Sequence, residues 1–334
     1  MIKSIRSAQY TDESGEIVRC YLCPNKCEIK SGEFGLCRVR GNKGGNGFIP
    51  FYGFISALAV DPVEKKPLYH FKPGTGILSL GFTGCNLRCP FCQNWRISQN
   101  TDIQGKVMKN GEIITAALKY NVPSIAYTYS EPLVHSEFLL DFMALARRHD
   151  FANALVTNGC INSGAASEIL KLTDAANVDL KSFSEETYKK NLGGDLQTVL
   201  EFIKLGVKMG VHTEITTLVV PGLNDSEDEL DSIADFIVSL NSNVPWHLSA
   251  YHPDYRWNAP PTDPGFIIRI AENARKKLPF VYTGNIASVN DTVCSACGKI
   301  IAKRQGYSVD ICGLAAAQEF YNCAHCGEKT QIVC

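Results

Sequence analysis

The chain has 334 residues, 45% of them hydrophobic, with 33 basic side chains against 34 acidic ones and a formal net charge of -1. That length suffices for one large core domain with small appendages, and the balanced charge excludes the positive field with which a protein holds nucleic acid or an anionic membrane. Fourteen cysteines fall largely in C-x2-C pairs, and MIKSIRSAQYTDE carries no apolar leader, so the expectation is a reducing, cytoplasmic compartment and bound metals rather than disulfides. The longest nearly uncharged apolar stretch, residues 51–60, is too short to span a bilayer and reads as core or strand.

Residues 1–50 read as a small cysteine module. Cys20, Cys23, Cys27 and Cys37 stand among Gly32, Gly35, Gly41, Gly44, Gly45 and Gly47, a loop-rich composition expected to build no apolar core and to rely on a bound metal. Structural zinc is the first expectation for four such thiolates, although C-x2-C-x3-C-x9-C is not a regular zinc-finger spacing. A second iron-sulfur cluster is the alternative, and buried free thiols are the plainest reading. A connecting segment, 51–75, follows.

Residues 76–288 alternate short apolar runs with amphipathic stretches. The runs at 77–82, 124–128, 152–156, 176–180, 212–220, 247–251 and 280–282 read as buried parallel strands. Helical spacing occupies 133–147, 165–172 and 226–240; in the last, Leu230, Ile233, Ala234, Ile237 and Leu240 recur on one face and Ser226 with Glu229 forms a capping box. Repeated βα units imply right-handed crossovers and a parallel sheet, open or curled, with function at the carboxyl ends of its strands.

The stretch GFTGCNLRCPFCQNW carries the chemistry, because it sets Cys85, Cys89 and Cys92 in the spacing C-x3-C-x2-C after the first apolar run. One tight loop with three thiolates can ligate three irons of a cubane and leave the fourth open. Zinc completed from far away is the rival for that corner, but no fourth Cys or His lies within the next dozen positions. At the other end, residues 289–334 hold Cys294 and Cys297, then Cys323 and Cys326, with 25 residues between the pairs and a glycine after each. That is a zinc-ribbon pattern, expected to stabilise the fold or dock a substrate. Cys312 and Cys334 fall outside the four-ligand set.

CNLRCPFC, followed by YTYSEP at 127–132, TNG at 157–159, VDLK at 178–181 and AYHP at 250–253, resembles the radical S-adenosylmethionine (SAM) superfamily, in the branch of pyruvate formate-lyase activating enzymes. With EKKPLYHFKPG at 64–74, CQNW and the cysteine-bearing N-terminus, the fuller pattern is most similar to AmmeMemoRadiSam-type radical SAM proteins. The resemblance implies a partial (β/α)6 TIM-like barrel, a [4Fe-4S] cluster on Cys85, Cys89 and Cys92, and SAM chelated by the open iron. It places Ser130 and Glu131 at the SAM amino group, although the family's glycine-glycine-glutamate string is replaced here. Asn158, Asp179 and Lys181 fall where the methionine carboxylate is handled, and His252 near the adenosyl group. An Asp-Lys ion pair at a strand end and a satisfied core histidine are the bland alternatives. Cys160, one residue past TNG, is a candidate second catalytic thiol against the plainer reading of a small buried residue. The implied partners are a flavodoxin- or ferredoxin-like electron donor and a protein or small-molecule substrate. A glycyl-radical activating enzyme is the alternative reaction, although that branch carries its auxiliary cysteines after the catalytic motif. A zinc-rich binding or electron-transfer protein on a degenerate barrel is the alternative from another class.

Overall fold

The apolar runs become neighbours in one sheet in the order in which they occur along the chain. They form β1 (Ala57–Pro62), β2 (Gly76–Gly81), β3 (Ser124–Thr128), β4 (Ala152–Thr157), β5 (Ala175–Asp179), β6 (His212–Val219), β7 (Trp246–Ala250) and β8 (Val281–Gly284) in a computed structural model that describes residues 5–100 and 104–334. The first four residues, part of the segment read above for an apolar leader, lie outside that description. From β2 to β8 every pairing is parallel. Only β1 runs antiparallel, with Ala57 opposite Gly81 and Pro62 opposite Gly76.

Parallel neighbours need crossovers, and the amphipathic stretches supply them: α1 (Asn110–Lys119), α2 (Ser136–Arg148), α3 (Ser163–Leu170), α4 (Leu196–Lys208), α5 (Glu227–Leu240) and α6 (Pro264–Ala274). Six βα units and a last strand make the expected partial barrel. Its strands are covered on both sides, so β3 is buried at every position. In α5, Leu230, Ile233, Ala234 and Ile237 form the buried stripe, and Ser226 accepts the Glu229 N–H at 3.2 Å. The expected capping box is only half made. Glu229 turns its carboxylate instead to the Ser182 hydroxyl at 2.5 Å and the Phe183 N–H at 2.7 Å, which fixes the chain just after Lys181.

The sheet does not close on itself: β1 and β8 are its two edges. The seam between them is filled by residues 63–72 and by the C-terminal module, which is fastened there rather than hanging as a tail. The Val333 N–H donates to the His70 carbonyl at 2.8 Å and the Lys72 N–H to the Val333 carbonyl at 2.9 Å. Arg304 donates to the Tyr69 carbonyl at 2.8 Å while its guanidinium lies 4.4 Å from the centre of the Tyr69 ring. Residues 51–75 are therefore edge strand and seam filler as well as connection.

The N-terminal module corrects one expectation. It does have a small apolar core: strands Ile17–Cys20 and Glu28–Lys30 turn alternate residues inward, burying Val18, Cys20 and Ile29, and the loops after them bury Leu22 and Val39. It also borrows from the barrel: Val39 and Ile49 pack on Val134, and Arg40 pairs with Glu137 of α2 at 2.9 Å, both side chains buried.

Two buried histidines give the fold an acid limit. His70 meets the Tyr282 hydroxyl at 2.6 Å and burial pulls its pKa down to about 3; His135 donates to the Thr83 carbonyl at 2.8 Å and burial pulls it to about 4. Below the unfolded value of about 6.5 the unfolded chain takes up protons that the native state refuses, so stability falls as pH falls. The denaturant midpoint is expected to drop between about pH 6.5 and about pH 4, and His70→Gln to flatten that slope. An unchanged slope in the variant, measured by urea titration across the range, would refute the assignment to His70.

Candidate active site

Parallel strands all end on the same side, so the segments following β2 to β8 gather at one mouth. There they surround a cavity of about 630 Å³, within the range of small-molecule sites, whose wall carries Cys85, Cys89, Cys92, Ser130, Glu131, Asn158, Asp179 and Lys181. Of the cofactor-contact residues expected from the sequence, His252 alone is not on that wall. It is exposed and meets Gln93 at 3.1 Å on the rim. Cys160 is not there either: Gly159 takes a left-handed φ of +64° and turns the chain inward, leaving the Cys160 thiol buried and 4.0 Å from the Asp195 carbonyl.

The cysteine loop is built to receive a metal. Gly84 has φ +76°, and a Cβ there would lie 2.4 Å from the Cys37 carbonyl oxygen, so only glycine fits before Cys85. The Leu87 N–H donates to Cys85 Sγ at 3.3 Å, Ser98 Oγ lies 3.3 Å from Cys92 Sγ, and Asn158 Nδ2 lies 3.6 Å from Cys85 Sγ. Donors aimed at sulfur are the outer support that thiolate ligands need. As thiols, Cys85 and Cys89 resist ionisation, burial pushing Cys89 up to about 12 despite the charge of Lys181 and, with the nearby charge of Glu131, raising Cys85 well above the ordinary thiol value. A cation in the loop reverses that balance and expels the protons. The three residues thus fit a cluster.

Around the loop, polar groups are fixed rather than free. Lys181 ion-pairs with Asp179 at 2.9 Å; burial opposes its charge, but Asp179 and Cys89 outweigh burial and hold its pKa above the ordinary lysine value. Its N–H donates to the hydroxyl of Tyr188, in the π-helical turn Tyr188–Leu192. Glu131, 1% exposed, accepts from the Leu133 N–H at 3.0 Å, the Thr157 hydroxyl at 2.6 Å and the Asn158 N–H at 2.8 Å. Burial still raises its pKa to about 7. Ser130 donates to the Gly84 carbonyl, tying YTYSEP to the cysteine loop.

Sequence reading missed the support behind these groups. Tyr129 has φ +68°, a strained value for an aromatic residue, and is held in it by its hydroxyl on Asp61 and by Lys66 Nζ, 4.2 Å from the ring centre. Asp61 accepts from Lys66 at 2.7 Å, Lys65 at 2.8 Å and Ser79 at 2.8 Å, and these donors outweigh burial to keep its carboxyl far below the usual range. An asparagine relay was missed as well: Asn25 donates to the Asn86 carbonyl at 2.9 Å, and Asn158 to Asn86 Oδ1 at 3.0 Å. The far wall of the cavity, with Glu64, Tyr69, His247, Arg304 and Tyr307, was missed too. Only the motif at 64–74 hinted at it, and nothing local marks Arg304.

The C-terminal cysteines form a compact second centre. Cys294 and Cys326 sulfurs lie 3.8 Å apart, as do those of Cys297 and Cys323, and all four lie within 4.8 Å of one another. Such a group could hold a metal; Cys312 and Cys334 do not belong to it.

Comparison with known proteins gives this geometry its family. The radical SAM superfamily model matches residues 80–237. MJ0808, an uncharacterised protein of Methanocaldococcus jannaschii, is 40% identical over 325 residues, 95% of this chain and 96% of its own. The pyruvate formate-lyase-activating enzyme of Clostridium pasteurianum is 28% identical over 189 residues, 54% of this chain and 77% of its own. This chain belongs to the radical SAM superfamily. Within it, the chain falls in the branch resembling pyruvate formate-lyase activating enzymes. Streptococcus suis SuiB bound to precursor peptide SuiA shares the fold, with a TM-score of 0.51 at 15% identity over 70% of this chain and 55% of that one. A [4Fe-4S] cluster and SAM are the cofactors that membership of a radical SAM enzyme family implies. No helix among the described residues is long and apolar enough to cross a membrane.

Asp61→Ala in this radical SAM protein leaves the buried Lys66 ammonium without its carboxylate and frees Tyr129. The expected loss is about 3–5 kcal/mol of unfolding free energy, read by denaturant titration. A loss under about 1 kcal/mol would show that the pair does not hold the motif.

Proposed function

We propose that the chain reductively cleaves SAM and directs the resulting radical at a hydrogen atom of a substrate held in the same cavity. The observation that supports it most is the meeting of three cysteines, a charged lysine and a buried glutamate on the wall of one cavity. When bound, the [4Fe-4S] cluster supplies one electron that splits the sulfonium into methionine and a 5'-deoxyadenosyl radical.

The protein's own part is placement. Cys85, Cys89 and Cys92 would hold three irons of the cluster and leave the fourth for the methionine amino and carboxylate groups. Lys181 offers a point charge to the carboxylate, with Asp179 holding the ammonium in place. A carboxylate has about four lone-pair sites, and Glu131 uses three on its own fold, which leaves one for an N–H of the methionine amino group. Asn158 is oriented by the Cys160 N–H on its Oδ1 at 2.8 Å, so its amide faces Cys85 and Asn86. His252 on the rim stands toward the adenosyl side; Cys160 receives no role in the reaction. The four C-terminal cysteines hold zinc, since bonds of about 2.3 Å to a tetrahedral ion put sulfurs about 3.8 Å apart.

Residues 64–69 and 283–307 of the cavity wall lie outside the stretch matched by the superfamily, so the substrate is carried over from no relative. The reading is a radical reaction on a protein or small molecule that enters past Tyr307, with a flavodoxin- or ferredoxin-like donor supplying the electron. Glycyl-radical activation is its narrower form.

Anaerobic reconstitution with iron and sulfide, reduction and addition of SAM should give 5'-deoxyadenosine, and Cys89→Ala should abolish it. A loaded, reducible protein that cleaves no SAM would overturn the reading. Lys181→Met should weaken SAM binding roughly 10- to 100-fold, the worth of about 1.5–3 kcal/mol for a charged hydrogen bond, measured by calorimetry on the loaded enzyme. Unchanged affinity would reduce Lys181 to a structural ion pair.

A further inference from the structure

Behind the cysteine loop lies a second, much smaller void. Cys20, Cys23, Cys27, Cys37 and Arg40 line it, and the remaining wall is mostly apolar. Three observations bear on what occupies it.

The first is spacing. Among the described residues, the C-terminal ribbon is the one group of three or more ligating atoms lying mutually within 4.8 Å. Cys20, Cys23, Cys27 and Cys37 do not draw together that closely, and neither do Cys85, Cys89 and Cys92. A zinc ion gathers thiolates to about 3.8 Å, whereas a cubane presents each thiolate with its own iron at a separate corner. The N-terminal set thus lacks the close spacing that the C-terminal four show.

The second is Arg40. It is 2% exposed, and its terminal nitrogens are engaged by Glu137 at 2.9 and 3.0 Å and by the Gln9 carbonyl, yet its buried Nε has no partner. An N–H left so costs free energy, and the sulfur-lined void beside it supplies the missing acceptor. Cys27 Sγ already accepts the Leu36 N–H at 3.5 Å. The third is contact. The Cys37 carbonyl sits against Gly84, the residue before Cys85, and Asn25 donates to the carbonyl of Asn86, the residue after it. The two cysteine loops touch through their backbones.

We propose that Cys20, Cys23, Cys27 and Cys37 hold a second, fully ligated [4Fe-4S] cluster that passes electrons to the catalytic one. A flavodoxin- or ferredoxin-class protein reduces the N-terminal cluster by one electron, and transfer inward reoxidises it; no bond is made or broken and no proton moves. The relay rests on the radical SAM reading, whereas the occupancy of the site does not.

The test uses the full chain reconstituted with iron and sulfide. The C85A/C89A/C92A variant, with the N-terminal site untouched, should bind about four irons and give an electron paramagnetic resonance signal on reduction that SAM does not alter. Wild type should bind about eight. C23A/C27A should keep about four irons and cleave SAM with dithionite at the wild-type rate, but at least about tenfold more slowly with reduced flavodoxin. An iron-free C85A/C89A/C92A variant carrying two zinc ions would overturn the cluster, and a flavodoxin-supported rate equal to wild type in C23A/C27A would overturn the relay. If C23A/C27A does not fold, the iron content of the triple variant still decides the occupancy. Failure of the radical SAM reading looks different: wild type cleaves no SAM while the triple variant still holds its iron.

Discussion

The open seam of the sheet is the constraint on which this molecule turns. Two edges left unpaired around an apolar interior cannot face water along their whole length, and an additional strand is not what covers them. Residues 63–72 and the hairpin of Ile300–Gln305 with Ser308–Asp310 close the gap, and in doing so they become a wall of the reaction cavity. The ribbon is thus more than an appendage. Its four cysteines could hold a metal beside the few buried residues of this segment, and Arg304, spread over Tyr69 and Tyr282, fastens the segment to the barrel.

Electrostatics inside the cavity is arranged around a cation supplied from outside. Buried thiols, a buried glutamate and Asp179 share one space with Lys181 as their near positive charge. Ionising the Cys85 and Cys89 thiols there without a metal would cost several kcal/mol. The polypeptide instead prepares donors: the Leu87 N–H, Ser98 and Asn158 stand ready at sulfur before any charge develops. The strain at Tyr129 belongs to the same preparation, since Asp61 and Lys66, remote from the chemistry, keep YTYSEP in a backbone form it would not adopt alone.

What could be read from sequence follows the range of the physics. The strands were legible because a strand buried on both faces is a short apolar run, and α5 because Leu230, Ile233, Ala234 and Ile237 keep helical spacing. The position of the site was legible because each motif closes a parallel strand. Glu229 escaped because its second partner, Phe183, lies 46 residues away, and Arg304 because its partner Tyr69 lies 235 residues away. Composition also misled at the N-terminus: glycines implied a coreless module, whereas Val18 and Ile29 turn inward from two short strands, and Val39 and Ile49 pack on Val134 just before α2. His252 follows its strand as expected, but its side chain is exposed on the rim while the chain beyond it packs on the cysteine loop, Tyr255 stacking on Trp95 at 5.2 Å between ring centres and the Arg256 N–H donating to the Pro90 carbonyl.

The contact between Gly84 and the Cys37 carbonyl ties the two cysteine loops together. A Cβ at Gly84 would meet that carbonyl at 2.4 Å, so any side chain there would push on the N-terminal module as well as on Cys85. One missing side chain thus sets the register between two cysteine sets far apart in the chain.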